Sequence, residues 1–194
     1  ASVCYCPHCM AEYEPKEVIE AYNRYLKKQV EDAYNLIYVR TEFKLAYSSF
    51  AHILEIDSSC IEARFGRILS LIYLSTLRRN RFSDATQLLK EESNLYFHKA
   101  KNNALYFKFL QRALFATNQY YSYLKKRLTI RGLYYNSECI KLMYYRVNEI
   151  RDFKEFLYKE AFDLSERCPE IEVGSFAQTI RDELDNQPNE LNEK

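Results

Sequence analysis

Glycine and proline are scarce in this chain of 194 residues, with three glycines and four prolines. A β-rich protein of this length needs many more turn formers, so the shortage argues for few, long helices. Tryptophan is absent, and tyrosine (18) and phenylalanine (12) supply the large rings. Rings of this kind fill gaps between helices, with tyrosine hydroxyls reaching the rim. No run approaches the roughly 20 apolar residues of a membrane span, and "SLIYLSTL" is far too short. The start shows no charged, then apolar, secretion-signal pattern, and the six cysteines do not make a disulfide scaffold, so a reducing, cytoplasmic location is expected.

Several catalytic signatures are missing too. There is no Gly-rich phosphate loop, no nucleophile elbow and no H-E-x-x-H. His52 and His98 each sit beside apolar residues and read as packing histidines. A non-enzymatic protein is therefore expected.

Helical periodicity is plain. Ile19, Tyr22, Leu26, Val30, Ala33 and Ile37 step by three and four, which predicts one helix over 16–40. Pro15 suits its first position, and Glu14 and Glu17 favour its positive end. A second helix is predicted over 42–56 and a third over 60–78, with Asp57, Ser58 and Ser59 as candidate caps between them. A shorter one carries Phe82, Ala85, Leu88 and Leu89. Apolar residues from Phe97 to Leu128 trace a helix starting near Asn94, and those from Ile140 to Leu164 trace another. Together these two predict a long antiparallel hairpin over 93–168. A short last helix, capped by Ser175, would fill 169–186, and 187–194 would be a solvated tail. The organisation expected is a cysteine-rich knuckle over 1–14 and a single helical domain over 15–186.

Charge is unevenly placed. The net charge is +1. From Lys99 to Arg151 there are eleven basic residues against two acidic ones, and from Asp152 to Lys194 twelve acidic against five basic. Lys101, Lys108, Arg112 and Lys126 fall on one face of the long helix, opposite its apolar stripe. Such a face could meet a polyanion, an acidic peptide or the chain's own acidic part. Neighbouring rings such as Phe115 offer stacking surfaces for bases.

Two stretches share aromatic-x-x-Ala: Phe43 to Ala46 and Phe82 to Ala85, 39 residues apart. The first, with Phe50 and "LEIDSS" following, resembles the second helix and exit turn of a tetratricopeptide repeat. The small alanine lets two helices approach, and the aromatics fill the groove beside it. The resemblance covers 27–92. It departs from the family pattern at Ser58, where proline is usual, at Tyr34, where a small residue is usual, and in a spacing longer than the repeat's ~34 residues. It implies an all-α, right-handed solenoid of helical hairpins with a concave peptide-binding face, and a scaffolding role. Tyr34, Tyr38 and Tyr73 would line that face and contact a protein or peptide partner. An exposed aromatic surface would also suit a homodimer. The polyanion-binding alternative rests on the basic helix face.

The stretch "CYCPHC" stands apart. Cys-Pro-x-Cys resembles the first knuckle of a zinc ribbon, in which the proline turn aims two thiolates at one ion. That resemblance implies a structural zinc held by Cys4, Cys6 and Cys9, with the fourth ligand unassigned. The same tetrapeptide is similar to the active site of oxidising thioredoxin-fold enzymes, but the strand and βαβ unit that context needs have no counterpart here. A metal-free tethering segment is the third reading.

Overall fold

The computed structural model describes residues 4–5, 8–93, 97, 99–131, 137–169 and 172–186. Seven long helices dominate these residues: α1 (Pro15–Tyr38), α2 (Phe43–Ile56), α3 (Ile61–Tyr73), α4 (Phe82–Glu92), α5 (Asn103–Arg131), α6 (Ser137–Arg167) and α7 (Val173–Asp185). Ahead of them, β1 (Cys4–Tyr5) pairs antiparallel with β2 (Glu12–Tyr13), Cys4 opposite Tyr13. An all-α body therefore follows a minimal hairpin.

Local chemistry sets the helix ends. Pro15 opens α1, and the Glu14 N–H donates to the Glu17 carboxylate. Between α1 and α2 the chain turns through Thr41, which takes a left-handed φ of 56°. Past α2, Asp57 Oδ1 accepts from the Ser59 N–H at 2.9 Å, and this Asx turn breaks the helix. Asn80 Oδ1 accepts from the Phe82 N–H at 2.8 Å, which meets one of the orphan donors at the start of α4.

Three predicted ends shift. α3 stops at Tyr73 rather than near 78, because Ser75 to Asn80 form a turn in which the Thr76 N–H donates to the Arg79 carbonyl. α5 starts at Asn103, after a 3₁₀ turn over Ala100–Asn102, rather than near 94. α7 starts at Val173, so Ser175 lies inside it and donates to the Glu172 carbonyl instead of capping the helix.

α1 packs on α2 and α3, α3 on α4 and α5, α4 and α5 on α6, and α6 on α7. Contacts between α5 and α6 run in opposite directions: Asn103 meets Cys168, Tyr106 meets Glu160, and Lys154 lies over the Tyr121 ring. One buried cluster extends from Ala33 to Leu184. At its centre the rings of Phe65, Phe97, Tyr106 and Phe109 pack together, Phe65 stacked on Tyr106 and Phe109 and tilted against Phe97.

The repeated motif is core. Ala46, Phe50, Phe82 and Ala85 are buried. Gly66 of α3 lies so close to α2 that a Cβ there would stand 2.2 Å from the Phe50 ring. Charges are also buried between α3 and α4. Glu92 accepts from Arg64 and, at 2.8 Å, from Arg67, while Arg64 also donates to the Ser58 carbonyl. An ion group taken out of water needs this degree of pairing.

Candidate functional site

Helical spacing places Tyr34 and Tyr38 one turn apart near the end of α1, their rings stacked at 6.0 Å and 7°. Tyr34 is the anchored one. Its ring packs edge-on against Phe50 at 5.0 Å, and its hydroxyl donates to the Glu62 carbonyl at 3.0 Å. Tyr38 is 46% exposed. Tyr73 ends α3 half-buried, stacked on Phe43 at 4.8 Å.

Arg112 of α5 reaches the same rings. Its guanidinium lies 5.3 Å from the Tyr34 centroid and 5.7 Å from that of Tyr38. Tyr38, Lys108, Gln111, Arg112 and Phe115 line a shallow groove of about 340 Å³. Two features that the sequence treats separately, the tyrosines and the basic face, thus meet across α3. The sequence showed each face through its i, i+4 spacing. It carried no signal that α1 and α5 would be neighbours, so Gln111 was missed as a lining residue.

Electrostatics at the groove follow from burial. Burial pushes the Tyr34 and Tyr38 hydroxyls above their ordinary range, and the nearby Arg112 charge opposes that rise. Burial raises Tyr73 as well, with a smaller push from Tyr38. These rings are neutral hydrogen-bonding and stacking surfaces at ordinary pH, beside a fixed positive charge. Lys101, Lys108, Arg112 and Lys126 are all exposed, and none forms an ion pair with a carboxylate among the described residues. Lys108 and Arg112 stand at the groove. Lys101 lies in the 3₁₀ turn before α5, and Lys126 lies about five turns beyond Lys108.

A larger cleft of about 720 Å³ lies between α4 and α6. Phe82, Phe153 and Phe156 contribute rings, and Glu91, Asp152 and Lys159 stand among its charged residues. Lys90 lies over the Phe156 ring at 5.4 Å. Its charged lining, Glu91, Glu149, Asp152 and Glu155 against Lys90 and Lys159, is acidic on balance.

Of the candidate zinc ligands, Cys6 lies outside the described residues. Cys4 belongs to β1, and Cys9 is exposed in the turn between β1 and β2. Met10, just after Cys9, takes a left-handed φ of 58°. Among the described residues no three His, Cys, Asp or Glu side chains are grouped to hold a metal ion. His98 also lies outside them, while His52 is exposed and its Nδ1 stands 3.2 Å from Glu55 Oε2. No described helix is long and apolar enough to cross a membrane.

No protein-family model, curated protein or solved structure matches the chain.

Proposed function

We propose that this is a non-catalytic protein-binding scaffold of helical-repeat type, and that it takes an acidic peptide segment in the groove of Tyr38, Lys108, Arg112 and Phe115. The observation that carries this reading is the position of Arg112, its guanidinium within 5.3 Å and 5.7 Å of the Tyr34 and Tyr38 ring centres and with no ion-paired carboxylate among the described residues. A guanidinium already resting against two rings loses less side-chain freedom when a carboxylate pairs with it. Lys108, one turn before, adds a second positive charge. Phe115, 58% exposed, supplies an apolar surface for a neighbouring side chain.

The order of helix neighbours also supports a repeat architecture. α1 and α2, then α3 and α4, then α5 and α6 follow as packed pairs, and the first helix of each pair lies against the first of the next. Close approach at Gly66 and Phe50 is the kind of contact that stacked pairs require.

A second reading has its own support. The four exposed cations on and before α5 would suit a nucleic-acid backbone. Fluorescence anisotropy separates the two, using an acidic peptide library and a single-stranded oligonucleotide of matching charge. Peptide binding that persists at 0.15 M salt and weakens about tenfold in Arg112→Ala is expected. Binding of the oligonucleotide alone, collapsing as salt rises, would replace the peptide reading with the polyanion one.

A further inference from the structure

The side-chain amide of Asn103 is only half used. Asn103 opens α5 and is 7% exposed, and its Nδ2 donates to the Cys168 Sγ, one residue past the end of α6. Its Oδ1 is buried and has no hydrogen-bond partner among the described residues. A buried acceptor with its bond unmade is costly, and native interiors hold few of them. Turning the amide over does not solve this. Oδ1 would then accept from the thiol, and Nδ2 would take its place as the orphan. In either orientation the sulfur meets one end of the amide, and the other end of the same small plane lacks a partner.

Cys168 is a half-buried thiol in no disulfide, so a small reagent reaches its sulfur. Cys139, near the other end of α6, lies about 43 Å away along the helix and cannot pair with it within one chain. One added oxygen supplies what the amide lacks. A sulfenic acid keeps the sulfur where Nδ2 donates, and adds an O–H group that donates to Oδ1. Both ends of the amide are then engaged, where the thiol engages one. Asn103 is therefore more complementary to the oxidised residue than to the reduced one.

We propose that Cys168 is a site of reversible oxidation by hydrogen peroxide, and that Asn103 is the positioning residue that holds its sulfenic acid. A sulfur lone pair attacks one peroxide oxygen and the O–O bond breaks. The departing hydroxide takes the thiol proton and leaves as water. Sulfur loses two electrons and the peroxide gains them. Reversal uses a small thiol, which attacks the oxidised sulfur and releases its oxygen as water. A second equivalent then frees Cys168 and leaves the small thiol as its disulfide. Asn103 and Arg112 lie two and a half turns apart, on opposite sides of α5, so this site and the groove can each fail without the other.

Peroxide treatment of the reduced full chain, with dimedone to trap sulfenic acid and peptide mass spectrometry to place it, tests the proposal. Cys139 is the internal comparison, because it is half-buried to a similar degree. Cys168 should carry at least about five times as much adduct as Cys139 at early times. Asn103→Leu keeps the volume and removes both polar ends. It should lower the Cys168 adduct about tenfold and raise the doubly oxygenated sulfinic form, with Cys139 and circular dichroism unchanged. Asn103→Asp retains an acceptor for the O–H group and should recover part of the adduct, which a loss of packing alone would not. A Cys168 adduct no greater than that of Cys139 overturns the proposal. So does an Asn103→Leu chain that is labelled like the parent, or an Asn103→Asp chain that recovers nothing.

Discussion

In α3, nine residues between Ala63 and Ile72 are buried, whereas α1, almost twice as long, buries only Ala33 and Ile37. Both helices open a pair, and both show clear apolar periodicity in the sequence. Their difference is positional. α3 packs against α1, α2, α4 and α5, so every side of it needs a solution. Gly66 admits the Phe50 ring on one side, Phe65 joins the aromatic cluster on another, and Arg64 and Arg67 share the Glu92 carboxylate. α1 lies at the end of the row and meets neighbours only along its last turns. A periodic stripe states that a helix has a face to cover. It does not state what covers it.

The largest effect should come from removing the ring that joins the two helices to α2. Phe50→Ala leaves a cavity where Tyr34 and Gly66 now touch the ring, and should cost about 4 kcal/mol in urea unfolding. The reciprocal change is Gly66→Ala, which forces a methyl into Phe50 and should cost about 2 kcal/mol. In a Phe50→Ala background the same Gly66→Ala should become neutral or stabilising by up to ~1 kcal/mol. Space is then open, and alanine is the better helix former. If the two losses simply add, the close approach between α2 and α3 is not what Gly66 serves. Ile19→Ala in α1 should change stability by less than about 0.5 kcal/mol.

Glu92→Ala should come next. It strips the shared acceptor from Arg64 and Arg67, and the resulting imbalance of buried charge should cost about 3 kcal/mol. The exposed i, i+4 pairs of α1, Lys16 with Glu20 and Lys27 with Glu31, should each be worth no more than about 0.5 kcal/mol. Equal losses at the two places would erase the contrast between a buried and a solvated helix.

A smaller, pH-dependent effect should come from the tyrosines. Burial pushes the Tyr120 hydroxyl up to about 12 and raises Tyr34 and Tyr106 from the ordinary value of 10.0. Each folded-state value lies above its unfolded one. The unfolded chain therefore loses these protons first as pH rises, and ionisation favours unfolding. Stability from this source should be complete below pH 10 and fall from about pH 10 to 12. Urea midpoints across that window should fall less steeply in Tyr120→Phe. An unchanged slope would mean that Tyr120 ionises equally in both states.

Much of the helical body was legible in the sequence, for physical reasons that can be named. The glycine and proline shortage and the period of three and four predicted the helices. Phe43, Ala46, Phe50, Phe82 and Ala85 predicted the tight approaches, and four of these five are buried. Breaks were read less well where side chains, not composition, set them. Ser175 suits a cap by type, yet α7 begins two residues earlier. The groove was legible only in parts. Tyr34, Tyr38, Lys108 and Arg112 were all singled out, but for two unrelated roles. Their meeting depends on α5 returning beside α1 across α3, a contact between residues more than 70 positions apart that no local pattern encodes.

That meeting gives a small stability effect and the sharpest spectroscopic one. Arg112 is exposed, so Arg112→Ala should lower stability by less than about 1 kcal/mol at pH 7, the scale of an exposed cation–π contact. The charge nevertheless acts on both rings in one direction, because it lowers what burial raises at Tyr34 and Tyr38. Removing it should move the ultraviolet titration of the buried tyrosines to higher pH, while Arg112→Lys should recover part of that shift. The fold should be unchanged by circular dichroism in both variants. If the titration does not move, the guanidinium is not held over the rings in solution, and the pre-set anion contact proposed for the groove falls with it.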